Sequence, residues 1–371
     1  MAKTPKVALV HEWLTTMGGS EKVLWQFHLL FPDAPIYTLV YNPECGGGLF
    51  KECDVRTTKL QKIPFATKLY KNLLTQMPRA WEDLDLTEYD LVLSSCSSCC
   101  KGVLTRPDAV HICYCHSPTR YIWDFYYQYL SNAGWLKRLF MPGMIHKMRL
   151  WDRMAADRVD HFVSNSNFIA QRIRKYYRRE AKTIYPPVHI ADLTPVEEPD
   201  DYYLIVSRFV YYKRIDLAVE ACTRLGKKLI VVGRGDEEKK LRELAGPTIT
   251  FAGRLNDEEM MNHQLHAKAF LFPGEEDFGI TPVEAQSAGC PVLAYGRGGA
   301  LETVSDGETG LFFHEQTVES LMECIERFEK KGVSLTRKQI RERSIKFNEE
   351  RFRKEIWQEC QEKLSGESIS C

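Results

Sequence analysis

Between Ala269 and Gly289 the chain changes structure within a few residues, and that change limits what can be built around it. Ala269 to Phe272 is an apolar run of strand length. Pro273 and Gly274 end it, because proline lacks the amide hydrogen that a strand ladder needs. Thr281 followed by Pro282 reads as a helix N-cap and first helical residue. Ala285, Ser287 and Ala288 are small enough for close helix packing, Gly289 ends the helix, and Pro291 prevents its return. A buried strand, a loop and a helix start therefore meet at one point. The first amides of a helix have no partner within it and favour anions. Glu276 and Glu284 stand around them, eight positions apart. Carboxylates that accept hydroxyl hydrogens, beside amides that attract an anion, suit a ligand carrying both phosphates and hydroxyls. Thr281-x-x-Glu284 is equally the spacing of a capping box, in which Glu284 bonds its own helix. Glu275-Glu276-Asp277 is equally a solvated acidic turn, and the local spacing leaves these readings open.

A chain of 371 residues is long enough for two domains with a substantial core. Its formal net charge of zero gives no reason to expect nucleic acid as a partner. No apolar run reaches the length of a membrane span. Met1-Ala2-Lys3-Thr4-Pro5-Lys6 leads into a strand with no signal-peptide core, so a cytoplasmic protein is expected. Twelve cysteines include Cys96, Cys99, Cys100, Cys113 and Cys115 in one short region. Only one Cys-x-x-Cys spacing is present, and Cys113-x-Cys115 is not a second, so the paired zinc pattern fails. Small buried thiols are the expectation.

Val7–Val10 reads as a central parallel strand, followed by a loop to Gly18-Gly19-Ser20 and a helix with Val23, Leu24, Phe27, Leu30 and Phe31 at helical spacing. Strand, glycine loop and helix bring bare backbone close to a phosphate, although Gly-x-Gly-x-x-Gly is absent and a plain tight turn fits the same residues. Further strands are expected at Ile36–Val40, Leu91–Ser94, Val110–Tyr114 and His161–Ser164. His116 falls just past the carboxyl end of one of them, where open α/β sheets place ligands, although a loop histidine with no role fits the position equally. A proline-rich, acidic stretch from Pro186 to Asp201 marks a domain boundary, giving residues 1–190 and 191–371, with the last helix free to pack back on the first domain. The pattern then restarts with strands at Tyr203–Val206, Leu229–Val232, Thr248–Phe251, Ala269–Phe272 and Val292–Ala294. Loops after these strands carry Arg208 and Lys213, Gly233-Arg234-Gly235, Gly253-Arg254, and Glu276 to Glu284. In a parallel sheet they share one edge, where Arg208 and Lys213 could clamp a diphosphate. The fold class is α/β, two Rossmann-like doubly wound domains.

Three segments before the boundary mix cations with apolar side chains: Lys59–Lys71, Trp135–Trp151, and Arg172–Arg179 with Tyr176 and Tyr177. Such segments suit an anionic membrane surface, and equally suit amphipathic helices with solvated basic faces.

Taken in order, these residues resemble the retaining glycosyltransferases of family 4, which have the GT-B fold with two domains facing a central cleft. The resemblance spans nearly the whole chain. It is most specific in Glu276-x7-Glu284, followed by Gly289-Cys290-Pro291-Val292. Ser207-Arg208-Phe209 with Lys213-Arg214 is similar to the family's phosphate loop, and Gly298-Gly299-Ala300-Leu301-Glu302-Thr303-Val304 to the segment after the motif. The chain looks closest to bacterial polysaccharide-assembly members, many of them mannosyltransferases. The resemblance implies that Glu284 holds the ribose hydroxyls and Glu276 the donor sugar. Phe278, Gly279 and Ile280 would offer backbone amides. Arg208 and Lys213 would neutralise the leaving diphosphate in place of a metal ion. Gly18 and Gly19 would let backbone approach the diphosphate, and His116 would line the reaction centre. Arg254 and Leu255 would flank the base, whose choice depends on backbone near Gly233 and Gly253. Asp277 departs from the glycine that many members carry.

The activity that the resemblance implies is transfer of a sugar, mannose from GDP-mannose favoured, to a lipid-linked or oligosaccharide acceptor, without cofactor or metal. The protein would sit peripherally on the inner face of the cell membrane. The leaving phosphate gains negative charge as the anomeric bond breaks, and preorganised cations and amides stabilise it. Glu276 and Glu284 are then binders rather than a glycosidase's acid and nucleophile. Attack from the face of departure is a family property. The alternatives are a nucleotide-sugar epimerase, a phosphorylase, for which no pyridoxal-phosphate lysine is identified, and a non-catalytic sugar- or nucleotide-binding scaffold.

Overall fold

The computed structural model describes residues 5–131, 134–190 and 192–366. Within the expected sequence features, Met1–Thr4 and the side chains of Leu136 and Lys137 lie outside the described residues. Compact packing divides the chain into two units. One comprises the residues up to Pro187 together with those from Phe352 onward; the other is Val188–Arg351.

In the first unit the strands are β1 (Val7–His11), β2 (Ile36–Thr38), β3 (Val55–Thr57), β4 (Leu91–Cys96), β5 (Val110–Cys115), β6 (His161–Ser164) and β7 (Ala181–Thr183). They pair in parallel in the order β3-β2-β1-β4-β5-β6-β7. The second unit holds β8 (Tyr203–Val206), β9 (Leu229–Val232), β10 (Ile249–Gly253), β11 (Ala269–Phe272), β12 (Val292–Tyr295) and β13 (Gly310–Phe313). Their order is β10-β9-β8-β11-β12-β13, again parallel. The α/β expectation holds for both units.

Continuous apolar strands are explained by a core on each face of each sheet. Along β8, Tyr203 and Ile205 enter one core and Leu204 the other; along β11, Ala269 and Leu271 alternate in the same way with Phe270 and Phe272. Period-two alternation into two apolar layers is what a sheet covered on both faces requires. Each such Leu, Ile or Phe contributes roughly 1.5–3 kcal/mol by leaving water. The strands that the sequence pattern does not announce, β3, β7 and β13, are edge strands. Val55-Arg56-Thr57 and Ala181-Lys182-Thr183 are only half-buried, so they carry no apolar run to read.

From Phe352 the last helix (Glu349–Leu364) belongs to the first unit's core. The Phe352 ring stacks on Phe27 at 5.9 Å and meets Tyr114 edge-on at 5.6 Å. Across the same unit, the buried pair Lys101–Asp152 ties the loop after β4 to the helix Trp135–Asp157. Asp152 also accepts from Thr119 Oγ1 and Tyr177 Oη at 2.9 Å and from Trp123 Nε1 at 2.8 Å. Burial alone would push the Lys101 ammonium down, but Asp152 holds it well above the ordinary range. A buried pair stabilises only when its other hydrogen-bonding capacity is met, as it is for Asp152.

Candidate active site

Each sheet reverses its strand order once, and open parallel sheets bind ligands beyond the carboxyl ends at that reversal. In the second unit the reversal lies between β8 and β11. The loops carrying Arg208 and Lys213, and Glu276, therefore open side by side although more than sixty positions separate them. Lys213 Nζ forms an ion pair with Glu276 Oε1, with side chains 18% and 19% exposed. Arg208 is exposed, and its Nη2 donates to Tyr212 Oη at 2.9 Å. The Lys213 ammonium lies 5.7 Å from the centre of the same Tyr212 ring. One aromatic ring thus orders two cations that a pair of phosphates could share.

Glycine lets these loops touch backbone to backbone. Gly233 has φ +133°, and a Cβ there would come 1.8 Å from the Ser207 carbonyl oxygen. The Ser207–Phe209 segment is bonded to its neighbour through Phe209 N–H to Arg234 O at 2.9 Å. On the other side, Gly299 N–H donates to Glu276 O at 2.8 Å, and a Cβ on Gly299 would fall 2.2 Å from Phe278 Cα. The loop bearing Glu276 is therefore held in one position by Gly298-Gly299 behind it.

In the first unit the reversal lies between β1 and β4. The helix Gly19–Leu30 starts beside it, with Gly18 as N-cap. His116 follows β5, fixed by its amide donating to Cys96 O at 2.8 Å and by Asn165 Nδ2 donating to its carbonyl at 3.0 Å. Nearby, Glu12 is 2% exposed, and its Oε1 accepts from the amides of Ser97, Ser98 and Cys100 at 3.2, 2.6 and 3.1 Å. Burial pushes this carboxyl up to about 8, reinforced by Cys96, against the amide and the Lys101 charge. Ligand atoms of Glu12, Cys96 and Cys100 come within 4.8 Å of one another, but Glu12 Oε1 is already taken by amides, and Cys100 Sγ donates to Ser95 O at 3.3 Å. The cysteines among the described residues are free thiols, and all but Cys53 are buried. The expectation of small buried thiols holds for them.

Residues 17–192 match the model for Glycosyltransferase Family 4, and residues 192–347 match the model for Glycosyl transferases group 1. Together they cover every strand of both sheets except β1, and the site loops. The chain belongs to the GT-B glycosyltransferases. Glycogen synthase of Xanthomonas euvesicatoria is 33% identical to this GT-B chain over 141 residues, which are 35% of the chain but only 28% of that relative. Anabaena Alr3699/HepE, solved in complex with UDP and glucose, has a similar fold, with a TM-score of 0.68 and 17% identity over 96% of this chain and 100% of that one. The lipopolysaccharide outer core galactosyltransferase WaaB, in its apo form, gives a TM-score of 0.65 and 17% identity over 94% and 97%.

Two sequence readings of the GT-B chain need correction. Thr281 is not the N-cap and Pro282 is not the first helical residue. The helix is Ile280–Ser287, capped by Gly279 at φ +88°. Glycine reaches this left-handed conformation without the steric penalty a side chain meets, so the chain turns into the helix two residues early. Pro282 still lies in the first turn, where its missing amide hydrogen costs nothing. Thr281 and Glu284 consequently sit inside the helix, no side chain caps its start, and the capping-box reading of Glu284 falls. By contrast, the capping box expected at Asn256 and Glu259 forms, with bonds of 2.8 and 3.0 Å. Phe278 turns its ring into the core, 5.5 Å from Phe347, leaving only its backbone for a ligand. Arg254 is exposed beside Gly253 at φ +73°, and Leu255 is partly buried in the core beside β9.

Sequence reasoning missed Tyr212, whose partnership with Arg208 and Lys213 had no motif to announce it. It also missed His11, Ser95 and Glu21, which run in a hydrogen-bonded line inward from His116. His11 was read as the start of the loop after Val7–Val10, and Ser95 fell just past the expected strand Leu91–Ser94, whereas both lie within strands.

Proposed function

We propose that this chain transfers a sugar from a nucleotide-sugar donor to a glycan acceptor, with retention of the anomeric configuration and without a metal ion. The Lys213–Glu276 pair at the β8/β11 reversal carries this reading. A half-buried cation aimed at the loop of Glu276 is held ready for a diphosphate, and Glu276 becomes available to sugar hydroxyls once phosphate takes over Lys213. With the capping box gone, Glu284 is assigned to the ribose hydroxyls. Arg208, Lys213 and the amides of Gly279 and Ile280 stabilise the charge that grows on the leaving phosphate. Gly18, Gly19 and His116 serve the reaction from the first unit.

Mannose from GDP-mannose is the favoured donor, on the resemblance to polysaccharide-assembly members. A UDP-sugar is the second reading, supported by the UDP bound to Alr3699/HepE. For the acceptor, WaaB's place in the lipopolysaccharide outer core supports a lipid-linked glycan. Among the described residues no helix is long and apolar enough to cross a membrane. Trp135, Leu139 and Phe140 are 79%, 68% and 67% exposed along one helix, beside the exposed Arg138, and support peripheral docking at an anionic inner membrane face. Phe65, Lys62, Lys68 and Lys71 are also exposed. In the third basic cluster Arg172 pairs with Asp124, Arg174 with Glu180, and Arg179 bonds carbonyls of Ala156 and Asp160, while Lys175 and Arg178 are exposed.

The test is a mass-spectrometric screen of GDP- and UDP-sugars against lipid-diphosphate glycans. Sugar addition to an acceptor from one donor is expected. Conversion of donor to an isomeric nucleotide sugar with no acceptor present would establish the epimerase alternative instead, and binding without turnover the scaffold.

A further inference from the structure

Gln316 joins three loops at the carboxyl edge of the second unit's sheet. It lies between the edge strand β13 and the helix Val318–Lys331, which Thr317 caps. Its Nε2 donates to Pro273 O at 2.9 Å, in the loop after β11, 43 positions away. Its Oε1 accepts from Arg214 Nη1 at 3.4 Å, in the loop after β8, 102 positions away, and its backbone carbonyl accepts from the same nitrogen at 3.4 Å. The amide has one possible orientation. A guanidinium only donates and a carbonyl only accepts, so the amide oxygen faces Arg214 and the nitrogen faces Pro273.

Both bonds end one residue from the candidate site. Lys213 precedes Arg214, and Gly274 follows Pro273. The two backbones touch there, since a Cβ on Gly274 would lie 3.1 Å from both Cα and O of Lys213. Arg214 stands at φ +52°, a left-handed conformation that residues with a side chain rarely adopt. Its guanidinium is forked on Asp216, with Nε to Oδ1 and Nη2 to Oδ2 both at 3.1 Å, which leaves Nη1 for Gln316. Elsewhere the two loops are pinned to different neighbours, through Phe209 N–H to Arg234 O and Gly299 N–H to Glu276 O. Gln316 and the Gly274 contact fix one loop against the other, behind the Lys213–Glu276 pair.

We propose that Gln316 is a positioning residue, which holds Lys213 opposite Glu276 by strapping the loop after β8 to the loop after β11. Its consequence for turnover rests on the transferase reading. Binding a diphosphate tolerates a small shift of one cation, because Arg208 and the helix-start amides also attract it. Stabilising charge that develops on one leaving oxygen does not tolerate that shift. Gln316 acts through the loops it joins.

Gln316→Glu and Gln316→Met test this. The glutamate keeps an acceptor for Arg214, strengthened by charge, and sets a second acceptor against Pro273 O; the methionine adds no charge and drops both side-chain bonds. The melting temperature should hold in Gln316→Glu. With whichever GDP- or UDP-sugar the chain uses, kcat should fall about ten- to a hundredfold in both folded variants while the donor KM stays nearly unchanged. A residue that merely stabilised the fold would leave kcat per folded molecule unaltered. Hydrogen–deuterium exchange needs no turnover: amides in 207–217 and 274–280 should exchange several-fold faster in both variants, with β9 and β12 unchanged. Unaltered kcat in both folded variants of an active enzyme, or unaltered exchange in both loops, would overturn the proposal. So would a loss of kcat in Gln316→Glu alone, which would be an effect of the added charge. If the unaltered chain transfers no sugar, the transferase reading fails, and exchange alone decides whether the strap stands.

Discussion

Lys213→Ala, set against Glu276→Gln, separates a functional ion pair from a structural one. In the unliganded protein Lys213 and Glu276 neutralise each other at 18% and 19% exposure, close enough to solvent for a stability contribution of about 1 kcal/mol or less. Either change should therefore lower the melting temperature slightly and to a similar degree. Their effects on a nucleoside diphosphate should be opposite. Lys213→Ala removes a charge-assisted bond to phosphate of roughly 1.5–3 kcal/mol, a loss of about 10- to 150-fold in affinity. Glu276→Gln removes the competitor for the Lys213 ammonium and a negative charge beside the diphosphate, so GDP or UDP should bind as well as before or more tightly. Turnover should fall in both, by on the order of a hundredfold or more for Lys213→Ala, because a preorganised cation is lost where charge develops. Calorimetric titration of GDP and UDP into the three proteins, followed by kinetics with the active donor, makes the comparison. If folded Lys213→Ala binds the diphosphate normally, or if Glu276→Gln weakens it equally, the pair is structural and the assignment of Lys213 to phosphate is wrong.

Glu284→Ala should weaken nucleotide binding by roughly 1.5–3 kcal/mol, and deoxyribonucleotides should lose affinity relative to ribonucleotides only while Glu284 is present; titration of both nucleotide types against both proteins checks it. Activity should survive EDTA, since Arg208 and Lys213 supply the positive charge; loss on chelation with recovery on adding a divalent ion would contradict this. Glu12 is raised from 4.5 to about 8 in the folded protein, which therefore holds a proton that the unfolded chain releases. Its stabilisation is complete below pH 4.5 and declines by up to about 1.4 kcal/mol per pH unit until about pH 8, so Glu12→Gln should flatten chemical-denaturation stability over that window. Trp135→Ser with Phe140→Ser should reduce sedimentation with anionic liposomes, and salt should reduce it in the unaltered protein; equal recovery in the supernatant under all conditions would favour a soluble acceptor.

The strands that build each sheet's interior were legible because burial on both faces demands continuous apolar residues, as in Val7–Val10 and Ala269–Phe272. Helix starts were legible where a side chain caps them, as at Asn256, and misplaced where bare backbone does so, as at Gly279. Edge strands such as Val55–Thr57 left no signal, since half their surface meets water. The ingredients of the site, Arg208, Lys213, Glu276 and Gly298-Gly299, could be picked out one by one from residue type and order. That Lys213 and Glu276 pair was decided only by the sheet, which sets β8 against β11 and so joins loops far apart in the chain. The line from His116 to Glu21 likewise depends on β1, β4 and β5 lying side by side. Sequence determined which segments must be buried and which residues carry charge into the loops; strand order, a property of the whole sheet, determined which of those residues meet.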